Sequence, residues 1–369
     1  MLSKQQMSEQ FLQKIVKAIS ISETMDEKAR TSYQSVGKWL GDGLTGYDVV
    51  IMPQGSFNLG TVIKPISEED DYDIDLVCLL KKGHELNLSD YQIKNCVGDR
   101  LKEHEVYKDK LEKEGKRCWT LSYNEFHMDI LPCIPNNLVF SKKEHKTEIH
   151  LTQKIAPSNY VPHYSNPEGF LEWFESCMKD TLLEAKMAKV VLASADIEKI
   201  PTYSVKTPLQ KAVQLLKRHR DIMFKDNPDN SPISILITTL AAKAYKGEKT
   251  LLEALTNISD HMKDGIITFR GKYFVENPAF HGENFAEKWN IDPEKPKAFF
   301  NWLSVLKDDI LLLNEHNLLG NQHRFISAFG EQPVKRSLNF IYPNGPNIVV
   351  PPTQHIEIIK PNRPWGDVI

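Results

Sequence analysis

Three things are scarce in this 369-residue sequence: cysteine, long apolar runs and an excess of charge of either sign. The five cysteines (Cys78, Cys96, Cys118, Cys133 and Cys177) are odd in number and widely scattered, with no CxxC pair and no close Cys/His grouping. That excludes a disulfide scaffold, argues against structural zinc and fits a reducing compartment. No stretch approaches the roughly 18 apolar residues of a membrane span. The richest window, ISILITTLAAKAY, is short and ends in polar residues. Lys4, Glu9, Lys14 and Lys17 interrupt the apolar positions at the start, so it does not read as a secretory signal. The expectation is a soluble, cytoplasmic protein with no membrane partner. With 46 basic against 49 acidic residues the formal charge is −3, so there is no global positive field for long double-stranded DNA and any polynucleotide contact must be local. Internal repeats and low-complexity tracts are absent as well.

What is present is 41% hydrophobic residues, enough for one large or two ordinary domains. Phe11, Ile15 and Ile19 recur at helical spacing. A Thr24/Glu27 capping box then precedes a second stripe, Ala29, Tyr33, Val36 and Leu40, ending near Gly41. From about Tyr47 to Pro135 short β-rich runs follow (DVVIMP, DIDLVCLL, CWTLSY, FHMDILPCI), with one charged helix over Tyr91 to Lys116. Ala156 to Pro167 reads as a linker. Beyond it, Asn166-Pro167, Thr207-Pro208 and Pro232 each open a helix, with Ser231 as the N-cap of the last. Another helix runs from about Lys297 to Leu319. The tail after Gly330 holds seven prolines and reads as irregular chain packed over the surface. Phe170, Trp173 and Phe174 have core spacing.

The segment QGSFNLGTVIKPISEEDDYDIDLVCLL carries the chemistry: a Gly55-Ser56 turn after an apolar strand, then Asp73 and Asp75 opening the next. Two apart on a strand, these carboxylates share a face, with α-carbons roughly 6.6 Å apart. A third, Asp129, lies inside the apolar run FHMDILPCI, where a charge without a partner costs several kcal/mol. Converging carboxylates repel, and divalent metal with oxygen ligands is the remedy. Two Mg²⁺ ions, with Mn²⁺ able to substitute, suit an in-line displacement that releases pyrophosphate. Glycine lets backbone approach phosphate, and hydroxyl and amide groups donate to it. An EF-hand is excluded, because DDYDIDLV lacks the turn glycine and distal Glu. The reaction class is nucleotidyl transfer.

The order Gly-Ser, Asp-hydrophobic-Asp and a later strand Asp resembles the polymerase-β-like nucleotidyltransferase superfamily. GSFNLGTVIKP, DIDLVCLL and HMDILPCIP are similar to the oligoadenylate synthase and cyclic GMP-AMP synthase branch. NPEGFLEWF and TPLQKAVQLLKRHRDIMF resemble the bacterial cyclic-oligonucleotide synthases (CD-NTases) of anti-phage CBASS signalling, over about residues 5 to 330. Asp71-Tyr72-Asp73 also satisfies the Asp-x-Asp rule, but DIDLV leads straight into the apolar strand. Asp73 and Asp75 are therefore taken as the metal pair, with Asp71 behind them. The resemblance implies that Gln54, Gly55, Ser56, Lys217 and Ser234 contact the nucleotide. The competing readings are a basic solvated face for Lys217 (with Lys211, Arg218 and Arg220) and a helix-start or buried serine for Ser234. His127 reads as structural, on the strand face of Asp129, and Lys64 as either a phosphate contact or a solvated lysine.

The implied fold is two-lobed α+β. A catalytic mixed-sheet lobe with a bracing N-terminal helix covers residues 1–160, a helical lobe 161–330 and the Pro-rich tail 331–369. The implied function is synthesis of a cyclic di- or trinucleotide from ATP, with GTP as a second candidate. The messenger acts on a separate effector protein, and a regulatory protein is a further expected partner. The rivals are transfer to an RNA end or to a protein or tRNA target, and an inactive nucleotide-binding relative. A platform for long RNA is not evident, and three intact aspartates argue against an inactive copy.

Overall fold

The computed structural model describes residues 3–66, 71–136, 147–186, 206–345 and 348–349. The Phe11/Ile15/Ile19 stripe lies on α1 (Lys4–Ile19), started by a reciprocal Ser3/Gln6 capping box. It does not brace the sheet. Phe11, Leu12, Ile15, Val16 and Ile19 join the core of the helical body. Bracing falls to α2 (Glu23–Gly43), whose Ala29, Tyr33, Val36 and Leu40 bury against Ile51, Ile74 and Met128 of the sheet. Its cap is Ser22, which accepts from the Met25 amide. Ser22 is the last residue with extended backbone, which leaves Thr24 inside the first turn rather than at the cap. Phe11 is fully buried, its ring centroid 5.4 Å from that of Phe325. Phe11→Ala is expected to destabilise the fold by about 3–5 kcal/mol, read as a lower denaturant midpoint. A loss under about 1 kcal/mol would mark α1 as peripheral.

The sheet follows: β1 (Val49–Gln54), α3 (Gly55–Asn58), β2 (Tyr72–Leu80), α4 (Asp90–Lys102), α5 (Glu105–Lys110), β3 (Trp119–Ser122) and β4 (Phe126–Pro135). The expected single helix over 91–116 is thus two, meeting at His104. β5 (Ile149–Ala156) and β6 (Asn159–Ser165) complete the order β1-β2-β4-β5-β6, with β3 also on β4. β2 and β4 run parallel and the other pairs antiparallel. Alternation divides the strands cleanly. Tyr72, Ile74, Leu76, Cys78 and Leu80 pack with Phe126, Met128 and Ile130 toward α2 and α4. Asp73, Asp75 and Asp129 therefore belong to the opposite face.

The passage expected as a linker is β6, paired from Ile149↔Ser165 to Ala156↔Asn159. Pro162 is tolerated because β6 is the edge strand and no ladder hydrogen bond is needed on its outer side.

The second body holds α6 (Pro167–Cys177), α7 (Lys179–Lys186), α8 (Pro208–Met223), α9 (Ser234–Ala244) and α10 (Leu251–His261). Two hairpins follow, β7 (Ile267–Phe269) with β8 (Lys272–Phe274) and β9 (Glu276–Asn277) with β10 (Phe280–Asn284), then α11 (Glu294–Asn314), α12 (Gln322–Phe329) and α13 (Glu331–Ile341). Asn166 and Thr207 cap α6 and α8 as their sequences suggest. Ser231 does not cap α9. It follows a short turn over Pro228–Asn230, and Ile233 is the cap residue, without a side-chain bond. α11 ends at Asn314, short of Leu319, where His316 takes a left-handed backbone (φ 57°). Residues 331–341 are helical, not irregular. Pro333 falls in the first turn, where no amide donor is required, and Val334 and Leu338 enter the core alongside α1. The rest of the proline-rich tail, from residue 350, lies outside the described residues.

Candidate active site

Parallel pairing sets Asp75 directly beside Asp129, and antiparallel pairing sets it beside Gln54. Adjacent strands are about 4.8 Å apart, so three polar side chains crowd one patch. Burial, then the charges of Asp129 and Asp73, raise the Asp75 carboxyl well above its ordinary range, and Lys217 partly opposes them. Asp129 is buried and accepts a short hydrogen bond from Thr120 Oγ1.

At the end of β1, Gly55 has φ +65°. A Cβ there would lie 1.8 Å from Asp75 Oδ2, so only glycine lets the turn and the carboxylate coexist. The chain after α3 is gripped by one stripe of α8. Gln210 Nε2 donates to Leu59 O, Gln214 Nε2 to Val62 O, Lys217 Nζ to Thr61 O and Arg218 Nη2 to Lys64 O. Spacing of i, i+4, i+7 and i+8 puts all four on one side of the helix. The solvated-face reading of this stripe is therefore wrong. Lys217, Arg218 and Arg220 are buried: Lys217 and Arg218 satisfy carbonyls of the chain between β1 and β2, and Arg220 donates to Pro232 O and Ser234 Oγ ahead of and at the start of α9.

Burial first, then the nearby Arg220 charge, push the Lys217 ammonium down to about 7, against the pull of Asp221, Asp75 and Asp73. Above pH 7 the unfolded chain binds more protons than the folded one at this group, so stability rises with pH until the unfolded lysine also deprotonates. Lys217→Met is expected to flatten that rise and to hold or raise the unfolding midpoint near neutrality. Were Lys217 a nucleotide contact, as the sequence resemblance implies, the same variant would lower triphosphate affinity by about 1.5–3 kcal/mol, measured by calorimetry. Unchanged affinity would remove Lys217 from the nucleotide contacts. Ser234 opens α9 and accepts from Arg220 Nη1 and Nη2 at 3.3 and 3.2 Å, while Arg220 Nη1 also donates to Pro232 O.

Gln54, Gly55, Ser56, Asp73, Asp75, Asp129, Lys217 and Ser234 all line one cleft. Its opposite wall, unread in the sequence, includes Ser165, Asn166, Asn277, Glu283, Phe285 and Phe170. Phe170 is buried as core spacing suggests, yet it also borders the cleft. An adjoining pocket shares Ser56, Asp73, Lys217 and Ser234 and adds Lys64, Asp71 and Lys225. Asp71 Oδ2 lies 2.7 Å from His127 Nε2, and Glu112 Oε1 lies 3.2 Å from Nδ1, so His127 ties Asp71 behind the aspartates. Among the described residues no helix is long and apolar enough to cross a membrane.

A mixed sheet facing a helical body across one carboxylate-lined cleft defines a polymerase-β-like nucleotidyltransferase. Residues 49–132 match the family described as "Cyclic GMP-AMP synthase DncV-like, nucleotidyltransferase domain". A c-di-GMP synthase of Roseivirga ehrenbergii is 34% identical over 314 residues, 82% of this chain and 78% of that protein. The cyclic dinucleotide synthase CdnG of Bradyrhizobium diazoefficiens is 26% identical over 353 residues, 87% and 80% of the two chains. The structure of that CdnG in complex with GTP superposes with a TM-score of 0.66 at 22% identity, covering 90% of this chain and 98% of the other. The chain belongs to the DncV-like nucleotidyltransferase (CD-NTase) family, and it is a nucleotidyltransferase.

Proposed function

We propose that this enzyme condenses nucleoside triphosphates, GTP among them and ATP as the alternative, into a cyclic dinucleotide that acts on a separate effector protein in anti-phage defence. The observation that carries the reading is the convergence of Asp73, Asp75 and Asp129 on the cleft that also holds the Gly55-Ser56 turn, Lys217 and Ser234. The names of the Roseivirga and Bradyrhizobium relatives support a dinucleotide ring and guanosine as a component.

The donor set fits Mg²⁺. The oxygens are carboxylates, and the mutual repulsion that raises the Asp75 carboxyl is the kind a cation relieves. Asp73, Asp75 and Asp129 are the residues to hold two Mg²⁺, or Mn²⁺ in their place. Bound there, the ions supply charge neutralisation to the attacking and leaving oxygens. Gly55 and Ser56 give the phosphates a close backbone approach, and Lys217 adds a buried charge that a triphosphate would hold protonated. Ser234, oriented by Arg220, offers a hydroxyl to the same phosphates. Asp129, fixed at one oxygen by Thr120, is the base for the attacking ribose hydroxyl. In this scheme the sheet lobe runs to the end of β6 at Ser165 and carries the metal ligands, while the helical lobe supplies Lys217 and Ser234.

The test is mass spectrometry of products after the pure full chain meets all four nucleoside triphosphates with Mg²⁺ or Mn²⁺, followed by phosphatase treatment. A phosphatase-resistant cyclic dinucleotide is expected. A phosphatase-sensitive ladder running well past three nucleotides would instead assign the enzyme to RNA-end extension, and no product with any nucleotide would leave an inactive binder.

A further inference from the structure

On the cleft wall opposite the aspartates, most polar side chains are already committed to the protein itself. Asn166 donates from Nδ2 to Ala279 O and accepts at Oδ1 from the Gly169 amide. Asn277 donates from Nδ2 to Glu283 Oε2 and accepts at Oδ1 from the Ala279 amide. Ser165 Oγ donates to Glu283 Oε2 at 2.8 Å, and Thr238 Oγ1 donates to Ser234 O. Glu283 is the exception. Its side chain is only 9% exposed, and both lone pairs of Oε2 are taken by Ser165 and Asn277, which fix the carboxylate rigidly. Among the described residues Oε1 makes no hydrogen bond: His163 Nε2 lies 3.6 Å away, beyond hydrogen-bond reach, and that nitrogen itself has no hydrogen-bond partner. Phe170 and Phe285, with centroids 6.1 Å apart, supply apolar surface beside it.

We infer that Glu283 is the base-reading residue of this cleft and that it selects guanine. The inference rests on the nucleotidyltransferase reading of the cleft. Ser165, at the end of the edge strand β6, and Glu283 line the same cleft as Asp73, Asp75 and Asp129. A carboxylate oxygen with two open lone pairs accepts from adjacent N–H donors and repels acceptors. Guanine presents its N1–H and its 2-amino group side by side. Adenine offers a 6-amino donor next to the N1 lone pair, which would face the anion unfavourably. Prepositioned by two neutral donors, Glu283 pays little ordering entropy on binding, and the half-buried Phe285 gives the base an apolar contact.

The test is calorimetric binding of non-hydrolysable GTP, ITP and ATP analogues to the full chain with Mg²⁺. The wild-type protein is expected to prefer GTP over ATP by roughly tenfold or more. ITP, which keeps N1–H but lacks the 2-amine, should fall between them; this comparison needs no variant. Glu283→Gln should weaken GTP binding by roughly 10- to 100-fold and leave ATP binding nearly as it was, erasing the preference. Equal wild-type affinities for GTP and ATP overturn the inference, as does a Glu283→Gln variant that keeps the preference or loses both nucleotides equally. Turnover separates the two claims. A wild type that forms cyclic product while its Glu283→Gln variant retains the preference removes only the base-reading role, whereas guanine-selective binding with no turnover on any nucleotide removes only the synthase reading.

Discussion

Asp73→Asn combined with Asp75→Asn is expected to lower nucleotidyl transfer by roughly three orders of magnitude or more while leaving the protein folded. Both carboxylates lie on the cleft face of β2, whose opposite face carries the packing of Ile74, Leu76 and Cys78, so the substitutions leave the core untouched. Stability should move the other way. The Asp75 carboxyl is held above its ordinary range by burial and by Asp129 and Asp73. The folded protein therefore binds more protons at this site than the unfolded chain, and metal-free stability falls as pH rises from the ordinary carboxylate range toward the raised value. The double variant lacks that fall. Its melting temperature without metal should equal or exceed that of the wild type at neutral pH, and the stabilisation that Mg²⁺ with nucleotide gives the wild type should vanish. Product formation by the double variant near the wild-type rate would remove these residues from the site.

How much of this was legible beforehand depended on whether the signal was local. Asp73 and Asp75 announce themselves by period-two spacing at the start of an apolar strand, and Asp129 by being a charge in an apolar run. Strand alternation then placed Asp73 and Asp75 on one face before any register was known, and the parallel pairing of β2 with β4 brings Asp129 to the same face. The cap of α6 was equally readable, since Asn166 and Pro167 act on their own helix. The errors came where a local signal had a non-local competitor. Pro162 suggested a linker, but an edge strand can hold a proline. The prolines after Gly330 suggested irregular chain, but Pro333 sits in a first helical turn. Lys217, Arg218 and Arg220 look like a basic surface in sequence, and only the carbonyls of residues 61–65 and of Pro232, contributed by other segments, explain their burial. The far wall of the cleft was invisible for the same reason. Glu283 meets Ser165 across 118 residues of chain, and nothing near either residue marks the pairing.

Gly55→Ala should be nearly as damaging to turnover as loss of a carboxylate, and it isolates geometry from charge. The sequence marks Gly55 as a turn residue next to a phosphate contact. The structure gives it a second and more stringent reason, because the vector along which a Cβ would grow ends on Asp75 Oδ2. Gln54 and Asp75 are register partners, so the turn cannot move away without breaking the end of the β1–β2 ladder. Alanine also has to adopt φ +65°, a left-handed conformation that costs an L-residue roughly 1–2 kcal/mol. The easier relaxation is for the Asp75 side chain to swing aside. That preserves the sheet, so melting temperature should fall only modestly, while the carboxylate leaves the face it shares with Asp73 and Asp129. A misplacement of about 1 Å is enough to lower rates by roughly 100-fold, and here the displaced atom is itself a proposed metal ligand. Kinetics and thermal melts on the same preparation decide the matter. Near-normal turnover in Gly55→Ala would mean that Asp75 functions in another rotamer, and a melting temperature reduced as far as that of Phe11→Ala would mean that the turn, not the carboxylate, gives way.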